Sequence, residues 1–394
     1  MANVQLVCNP PWAAAGYAVQ CAQLARQLRK HGHNVLIQAD TMPFGAVLTW
    51  EGIPVAPGFT AGAAPHDMTG YYAMHHESDL VIVLLDVFGL NAPPRFLADL
   101  PCPAAWWVPV DCAPLGAQTN AVLRESKMTP VAMSRFGQEV LGKAGFEDVA
   151  YVPHAVDTAL FCPQPLAVRK QARADHGLGP DTFVIGINAA NQHWCRKGWF
   201  EQFYAYRTFL LGDETHPAHP DSAILAWTGA DGRPQGIALD GLADMLGIAD
   251  NVVFRDPGDV TSGITTQAEM VTQFYAACDL VSNCAWAEGF GIVPLEAQSC
   301  GIPVVTTDFS AMSEVGAPSG WKVPYSPVHA VDHIAAIWGR PQLGKIIEAY
   351  EQAWAERGRP MARSVAARQH ASAYDHDRVY EQYWEPVLAR LLAV

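Results

Sequence analysis

Apolar positions recur along this chain as short continuous runs, separated by stretches with helical spacing. Val4 to Cys8 is such a run and predicts a buried strand. Tyr17 to His31 comes next with Leu24, Ala25 and Leu28 on one face and Arg26, Arg29 and Lys30 elsewhere, the spacing of an amphipathic helix. Gly32 ends it, and Val35 to Ala39 reads as the second strand. This βαβ opening predicts a parallel sheet with a ligand crevice at the carboxyl ends of its strands. Leu80–Leu85, Ala104–Val110, Thr129–Met133 and Val149–Val152 continue the strand series, with a helix over Phe136–Ala144. Thr41 to Thr69, rich in glycine and proline, predicts one short strand between turns.

A second series begins near Asp181. Its strands are Phe183–Ala189, Ala223–Thr228, Val252–Phe254, Leu280–Cys284 and Val304–Thr306. Helices are predicted around Phe200, Phe203 and Tyr204, at Leu239–Leu246 and Gln267–Ala277, then over Leu343–Arg357, Pro360–His370 and Asp375–Leu392. Two alternating series in 394 residues predict two α/β domains.

Composition narrows the function. Half the residues are apolar and 16% are charged, so a large core is expected and disorder is not. The formal charge of −14 argues against a nucleic-acid backbone or an anionic membrane surface as the main partner. Nine cysteines without a C-x-x-C pair suggest unpaired thiols in a reducing cytoplasm, with Cys8, Cys284 and Cys300 as packing residues. No signal peptide is expected, and the longest apolar run is too short to span a bilayer.

The richest chemistry lies between Asn283 and Asp308, N-C-A-W-A-E-G-F-G-I-V-P-L-E-A-Q-S-C-G-I-P-V-V-T-T-D. It reads as a strand, a loop with Gly289 and Gly291, a short helix with Pro294 in its first turn and Gly301 at its stop, and a second strand. Glycines let backbone approach a ligand, and a helix N-terminus offers free N–H groups to phosphate. Glu296, read in the first helical turn, would repel phosphate but suits the vicinal diol of a ribose. Glu288 suits a hydroxyl-rich sugar. The plain alternative is a favourable charge at a helix start and a solvated loop residue. Arg196 and Lys197, in N-A-A-N-Q-H-W-C-R-K-G-W, stand before a predicted helix and suit a diphosphate.

The stretch E-G-F-G-I-V-P-L-E-A-Q-S-C-G-I-P-V resembles the E-x7-E signature of family 4 glycosyltransferases. R-K-G fits the same family, and Y-V-P-H-A-V-D-T-A-L-F-C-P is similar to its interdomain segment, with Ala155 in place of the usual glycine. The resemblance runs over nearly the whole chain and implies a GT-B fold, two Rossmann-like domains with parallel sheets facing a central cleft. It places an acceptor-side domain at 1–155, with the last helix, 375–394, returning to it, and a nucleotide-sugar domain at 156–374. It implies a retaining transfer from a nucleoside diphosphate sugar to a hydroxyl acceptor: a glycan, small molecule, lipid or modified nucleic acid. Neither a cofactor nor a metal is implied. Glu288, Arg196, Lys197 and Asp111 are then the catalytic candidates. Gly16, Gly289, Phe290, Gly291, Ile292, Glu296 and Arg255 are the donor-binding ones, with Arg255 offering backbone to the base.

Several residues keep a plainer reading. Gly16 is equally a helix-start glycine. Asp86 and Asp111 end apolar strands, where α/β sites are built or turns are capped; Asp86 is read as a cap and Asp111 as a ligand contact. Asp111 stands where many family members carry histidine. His154 is read as structural, His216 and His219 as surface-loop residues between prolines, and Asp375 and Asp377 as helix caps. A dehydrogenase would show G-x-G-x-x-G after the first strand, where N-P-P-W-A-A-A-G stands. An epimerase or hydrolase on the same scaffold, or a non-catalytic binder of nucleotide-sugar, are the other classes.

Overall fold

The computed structural model describes residues 1–13, 15–40, 46–58, 65–90, 97–228, 236–255, 266–316, 318–330, 335–358 and 361–393. The chain forms two compact units: residues 1–155 with 329–337 and 376–394, and residues 156–328 with 338–375.

The first unit is built on an eight-stranded sheet in the order β3-β4-β2-β1-β5-β6-β7-β8. Its strands are β1 (Asn3–Cys8), β2 (Asn34–Ala39), β3 (Leu48–Trp50), β4 (Ile53–Pro57), β5 (Leu80–Val83), β6 (Ala104–Val108), β7 (Thr129–Ala132) and β8 (Ala150–Tyr151). All neighbours are parallel except β3 with β4. Helices α1 (Gly16–Lys30), α2 (Pro65–His75), α3 (Ala117–Ser126) and α4 (Arg135–Lys143) are its crossovers. Strands covered on both faces can be apolar throughout, which is why β5 reads L-V-I-V and is wholly buried. Trp106 and Trp107 sit in this core with both indole N–H groups satisfied, donating to the carbonyls of Leu85 at 3.0 Å and Val152 at 2.8 Å.

The second unit holds a six-stranded, all-parallel sheet in the order β11-β10-β9-β12-β13-β14. Its strands are β9 (Phe183–Asn188), β10 (Ser222–Trp227), β11 (Val252–Phe254), β12 (Leu280–Asn283), β13 (Val304–Thr307) and β14 (Trp321–Val323). A two-stranded sheet pairs β15 (Tyr325–His329) with β16 (Ile337–Pro341). The helices of this half of the chain include α5 (Leu166–Asp175), α6 (Trp199–Leu211), α7 (Leu239–Leu246), α8 (Ile292–Ser299), α9 (Met312–Val315), α10 (Leu343–Ala355) and α11 (Met361–Ser372). One face of the six-stranded sheet packs on Trp199, Phe203, Phe209 and Tyr350, and each such buried side chain contributes about 2–3 kcal/mol.

The predicted series of strands and helices is present, with boundaries moved by a residue or two. α2, α3, α5 and the β14–β16 region are additions that short or weakly periodic stretches did not announce. Residues 41–45 and 59–64 of the uncertain N-terminal stretch lie outside the described residues.

Four local expectations change. Cys8 and Cys21 form a disulfide between β1 and α1, so not every cysteine is an unpaired thiol. His219 is not on a surface loop: it is buried, its ring against Phe209 and Trp354, and its Nε2 is 2.8 Å from Glu351 Oε2. Asp377 lies inside the helical turn His376–Val379 and accepts hydrogen bonds from Gln27 and Lys30 of α1, and Asp375, just before that turn, accepts one from Thr158. Asp86 precedes a short 3₁₀ turn without capping it and accepts from the Tyr17 hydroxyl at 2.8 Å. His154 keeps its structural reading: it is buried among aromatic rings, Trp107 at 4.7 Å among them.

Among the described residues, no helix is long and apolar enough to cross a membrane.

Candidate active site

The strand order of the second unit reverses between β9 and β12, which lie side by side. Loops leaving their carboxyl ends diverge there, and the gap between them is where an open α/β sheet holds its ligand. Residues 189–198 form the first of these loops and residues 284–291 the second.

The first loop is folded by His193. Its Nδ1 accepts the backbone N–H groups of Cys195 at 3.2 Å and Arg196 at 3.1 Å. Gly198 ends the loop with φ +62 and caps α6 in the left-handed region. A Cβ at Gly198 would run into the carbonyl oxygen of Cys284, so only glycine lets the two loops close on each other. The Trp286 N–H then donates to the Arg196 carbonyl at 2.8 Å, stitching loop to loop.

The stitch brings the predicted charges together. Lys197 Nζ lies 2.6 Å from Glu288 Oε1, and Arg196 Nη1 lies 3.7 Å from Glu288 Oε2. The side chains of Lys197 and Glu288 are only 14% and 13% exposed, so their attraction is far less screened than on an open surface. The Glu288 N–H donates to Ser310 Oγ at 3.1 Å, which holds the loop from the other side.

Gly291, at φ +88, is the N-cap of α8, and Ile292 opens the helix. The first-turn N–H groups have no partner within the helix, and Pro294 in that turn lacks one to lose. Gly289 is half-buried beside Glu288. Phe290 is buried, its ring 6.0 Å from the Tyr374 ring and engaged in packing.

Glu296 departs from expectation. The helix starts at Ile292, two residues before Pro294, so Glu296 falls in the second turn and no acidic residue occupies the first. It is buried, and its Oε2 accepts the Tyr275 hydroxyl at 2.6 Å. Burial pushes its carboxyl up to about 7, with the Tyr275 hydrogen bond pulling the other way. Arg255 uses its backbone N–H to extend the β11 ladder, donating to Ala226 at 2.9 Å, and its guanidinium lies 5.1 Å from the Trp227 ring centre. Its N–H is therefore committed within the sheet.

Gly16 and Asp111 belong to the first unit. Gly16 is the exposed first residue of α1, and Asp111 is half-buried beyond the end of β6. Tyr275, His193 and Ser310 are the site residues that sequence reasoning missed. A tyrosine in an apolar helical stretch reads as core, and only its hydroxyl contact distinguishes it.

With this geometry in view, the comparisons are specific. Residues 219–339 match the family model described as "Glycosyl transferases group 1". That stretch, under a third of the chain, is similar to the family. The resemblance to family 4 glycosyltransferases, drawn from the E-x7-E segment, agrees with this match. The chain is 39% identical over 150 residues to a D-inositol 3-phosphate glycosyltransferase of Mycobacteroides abscessus, covering 38% of this chain and 29% of the relative. It is 34% identical over 191 residues to a GDP-mannose-dependent alpha-(1-6)-phosphatidylinositol monomannoside mannosyltransferase of Mycolicibacterium smegmatis, covering 48% of this chain and 45% of the relative. The matched stretches thus span less than half the length of these curated relatives. In fold, this chain is similar to Anabaena Alr3699/HepE, solved in complex with UDP-glucose, with a TM-score of 0.74 and 17% identity over 99% of this chain and 100% of that one. The two Rossmann-like units are those of the GT-B fold.

Proposed function

We propose that this protein is a retaining glycosyltransferase that moves a sugar from a nucleoside diphosphate donor to an acceptor hydroxyl without a metal. The observation that carries this reading is the Lys197–Glu288–Arg196 cluster at the strand-order reversal, beside the N-terminus of α8.

The task is to hold charge that develops on a departing diphosphate. Arg196 and Lys197 supply two cations in the place a metal would otherwise fill. The backbone of Gly289 to Ile292 and the α8 dipole add N–H donors for phosphate oxygens. Glu288 accepts hydroxyls of the transferred sugar, and Glu296 accepts those of the ribose. Arg255 stands on Trp227 as a candidate neighbour of the base. In the first unit, Asp111 is assigned to the acceptor or the reacting sugar, and Gly16 to a close backbone approach by the donor. No protein nucleophile takes part. The bond from the anomeric carbon to the phosphate oxygen breaks, the acceptor oxygen bonds to that carbon on the same face, and its proton passes to the departing phosphate. Relatives named for GDP-mannose or solved with UDP-glucose make these the first donors to try, with inositol phosphates among the first acceptors.

The test is nucleotide release from a panel of UDP-, GDP- and ADP-sugars, with and without acceptors, using Glu288→Ala as control. Release that an acceptor accelerates and the variant loses is the expected result. Fast release with no acceptor would move the protein to a hydrolase or epimerase, and binding without turnover across a broad acceptor screen would make it a non-catalytic binder.

A further inference from the structure

We propose that Tyr275 is a positioning residue for Glu296: its hydroxyl, donating to Oε2, fixes the carboxylate so that Oε1 meets the hydroxyls of the donor ribose. This rests on the role given to Glu296 above and assigns a further residue to the same site.

The geometry is particular to the helical stretch before β12. Gln267–Glu269 is α-helical, Met270–Phe274 is a π turn and Tyr275–Ala277 a 3₁₀ turn. A π turn inserts one residue, which rotates the residues after it by roughly 100° relative to a continued α-helix. The inserted residue re-aims Tyr275 toward α8. Its ring is held edge-on by Phe161 at 5.8 Å and Phe274 at 5.0 Å, and the residue is 1% exposed. The phenol is thus immobilised by packing before it meets the carboxylate.

Among the described residues, no cation lies against Glu296, and Tyr275 is the one side-chain donor the structure gives it. A buried carboxylate with one fixed oxygen has one orientation, and its other oxygen is left for a ligand. Without the hydroxyl, Oε2 would be buried and unsatisfied, and the carboxylate would turn to find a partner.

The experiment is calorimetric titration with UDP, GDP and ADP and with their 2′-deoxy counterparts. The wild-type protein is expected to bind its preferred ribonucleotide roughly tenfold or more tightly than the deoxy form, the size of a hydrogen bond to a charged group. Tyr275→Phe should bring that ratio to within about threefold of unity, while affinity for the deoxy form stays unchanged. A merely structural tyrosine would weaken both forms alike. Tyr275→Met, which fills the space without a hydroxyl, gives the same reading if the phenylalanine variant does not fold. A folded variant that keeps the wild-type ratio overturns the role of Tyr275 alone. A wild-type protein with no ribose preference overturns the role of Glu296, and this inference with it. Failure to bind any of the diphosphates overturns the proposed function itself.

Discussion

Lys197 and Glu288, 91 residues apart in the chain, form a 2.6 Å ion pair at the carboxyl ends of two adjacent parallel strands. Each neutralises the other. On the proposed function, a diphosphate would compete with Glu288 for Lys197, and the pair would couple the phosphate and sugar ends of one substrate.

That competition yields a first prediction. Glu288→Gln removes a negative charge beside the proposed diphosphate site and the ion pair with Lys197. Nucleoside diphosphate affinity should rise about tenfold, while transfer falls at least about a hundredfold. Lys197→Met should weaken the same affinity by about 10- to 100-fold. Calorimetric titration with UDP and GDP checks both, and equal affinities in all three proteins would refute the competition.

Gly198→Ala should be among the most damaging small substitutions in the chain. It combines φ +62 with a Cβ placed against the Cys284 carbonyl oxygen, which is backbone and unable to swing away. A loss of more than about 2 kcal/mol is expected, read as a lowered urea midpoint. Donor affinity in the variant that still folds should fall too, because the stitched loops carry Arg196, Lys197 and Glu288.

Glu296 predicts a pH dependence. Its carboxyl is raised from 4.5 to about 7 by burial. The folded protein thus holds a proton that the unfolded chain has released. Stability from this group is fully present below pH 4.5 and is lost as pH rises toward 7, a difference of about 3 kcal/mol. Glu296→Gln, whose amide oxygen still accepts from Tyr275, should therefore stabilise the ligand-free protein more at pH 8 than at pH 4.5. Thermal unfolding across that range measures the difference, and a pH-independent gap would contradict it.

His154 predicts the opposite sign. Burial holds its imidazole down to about 3 from 6.5. The unfolded chain takes up a proton near pH 6.5 that the folded protein refuses, so stability falls as pH drops from 6.5 toward 3. His154→Phe should flatten the decline in melting temperature between pH 6.5 and pH 4. An unchanged slope would show that other groups govern it.

Much of this protein was legible in its residues. Continuous apolar runs marked the parallel strands because both faces of such a strand are covered, and helical spacing marked the crossovers. Gly301 marked the end of α8, where the structure has φ +78, and R-K-G and E-x7-E marked the two loops that meet. These are local signals: period, turn chemistry and charge at a helix end. What only the tertiary structure decided is who meets whom. Sequence offered Arg196 and Lys197 to a diphosphate and paired neither with Glu288; the meeting of the loops after β9 and β12 gives Lys197 the short contact and Arg196 the long one. It placed Glu296 on a first turn, whereas an earlier helix start and the approach of Tyr275 made it a buried carboxyl. It read His219 as surface and Cys8 as a lone thiol, because burial by Trp354 and proximity to Cys21 depend on chain segments folding onto one another. Torsional preference is written in neighbouring residues, but pairing across 91 positions is set by strand order, and strand order is a property of the packed sheet.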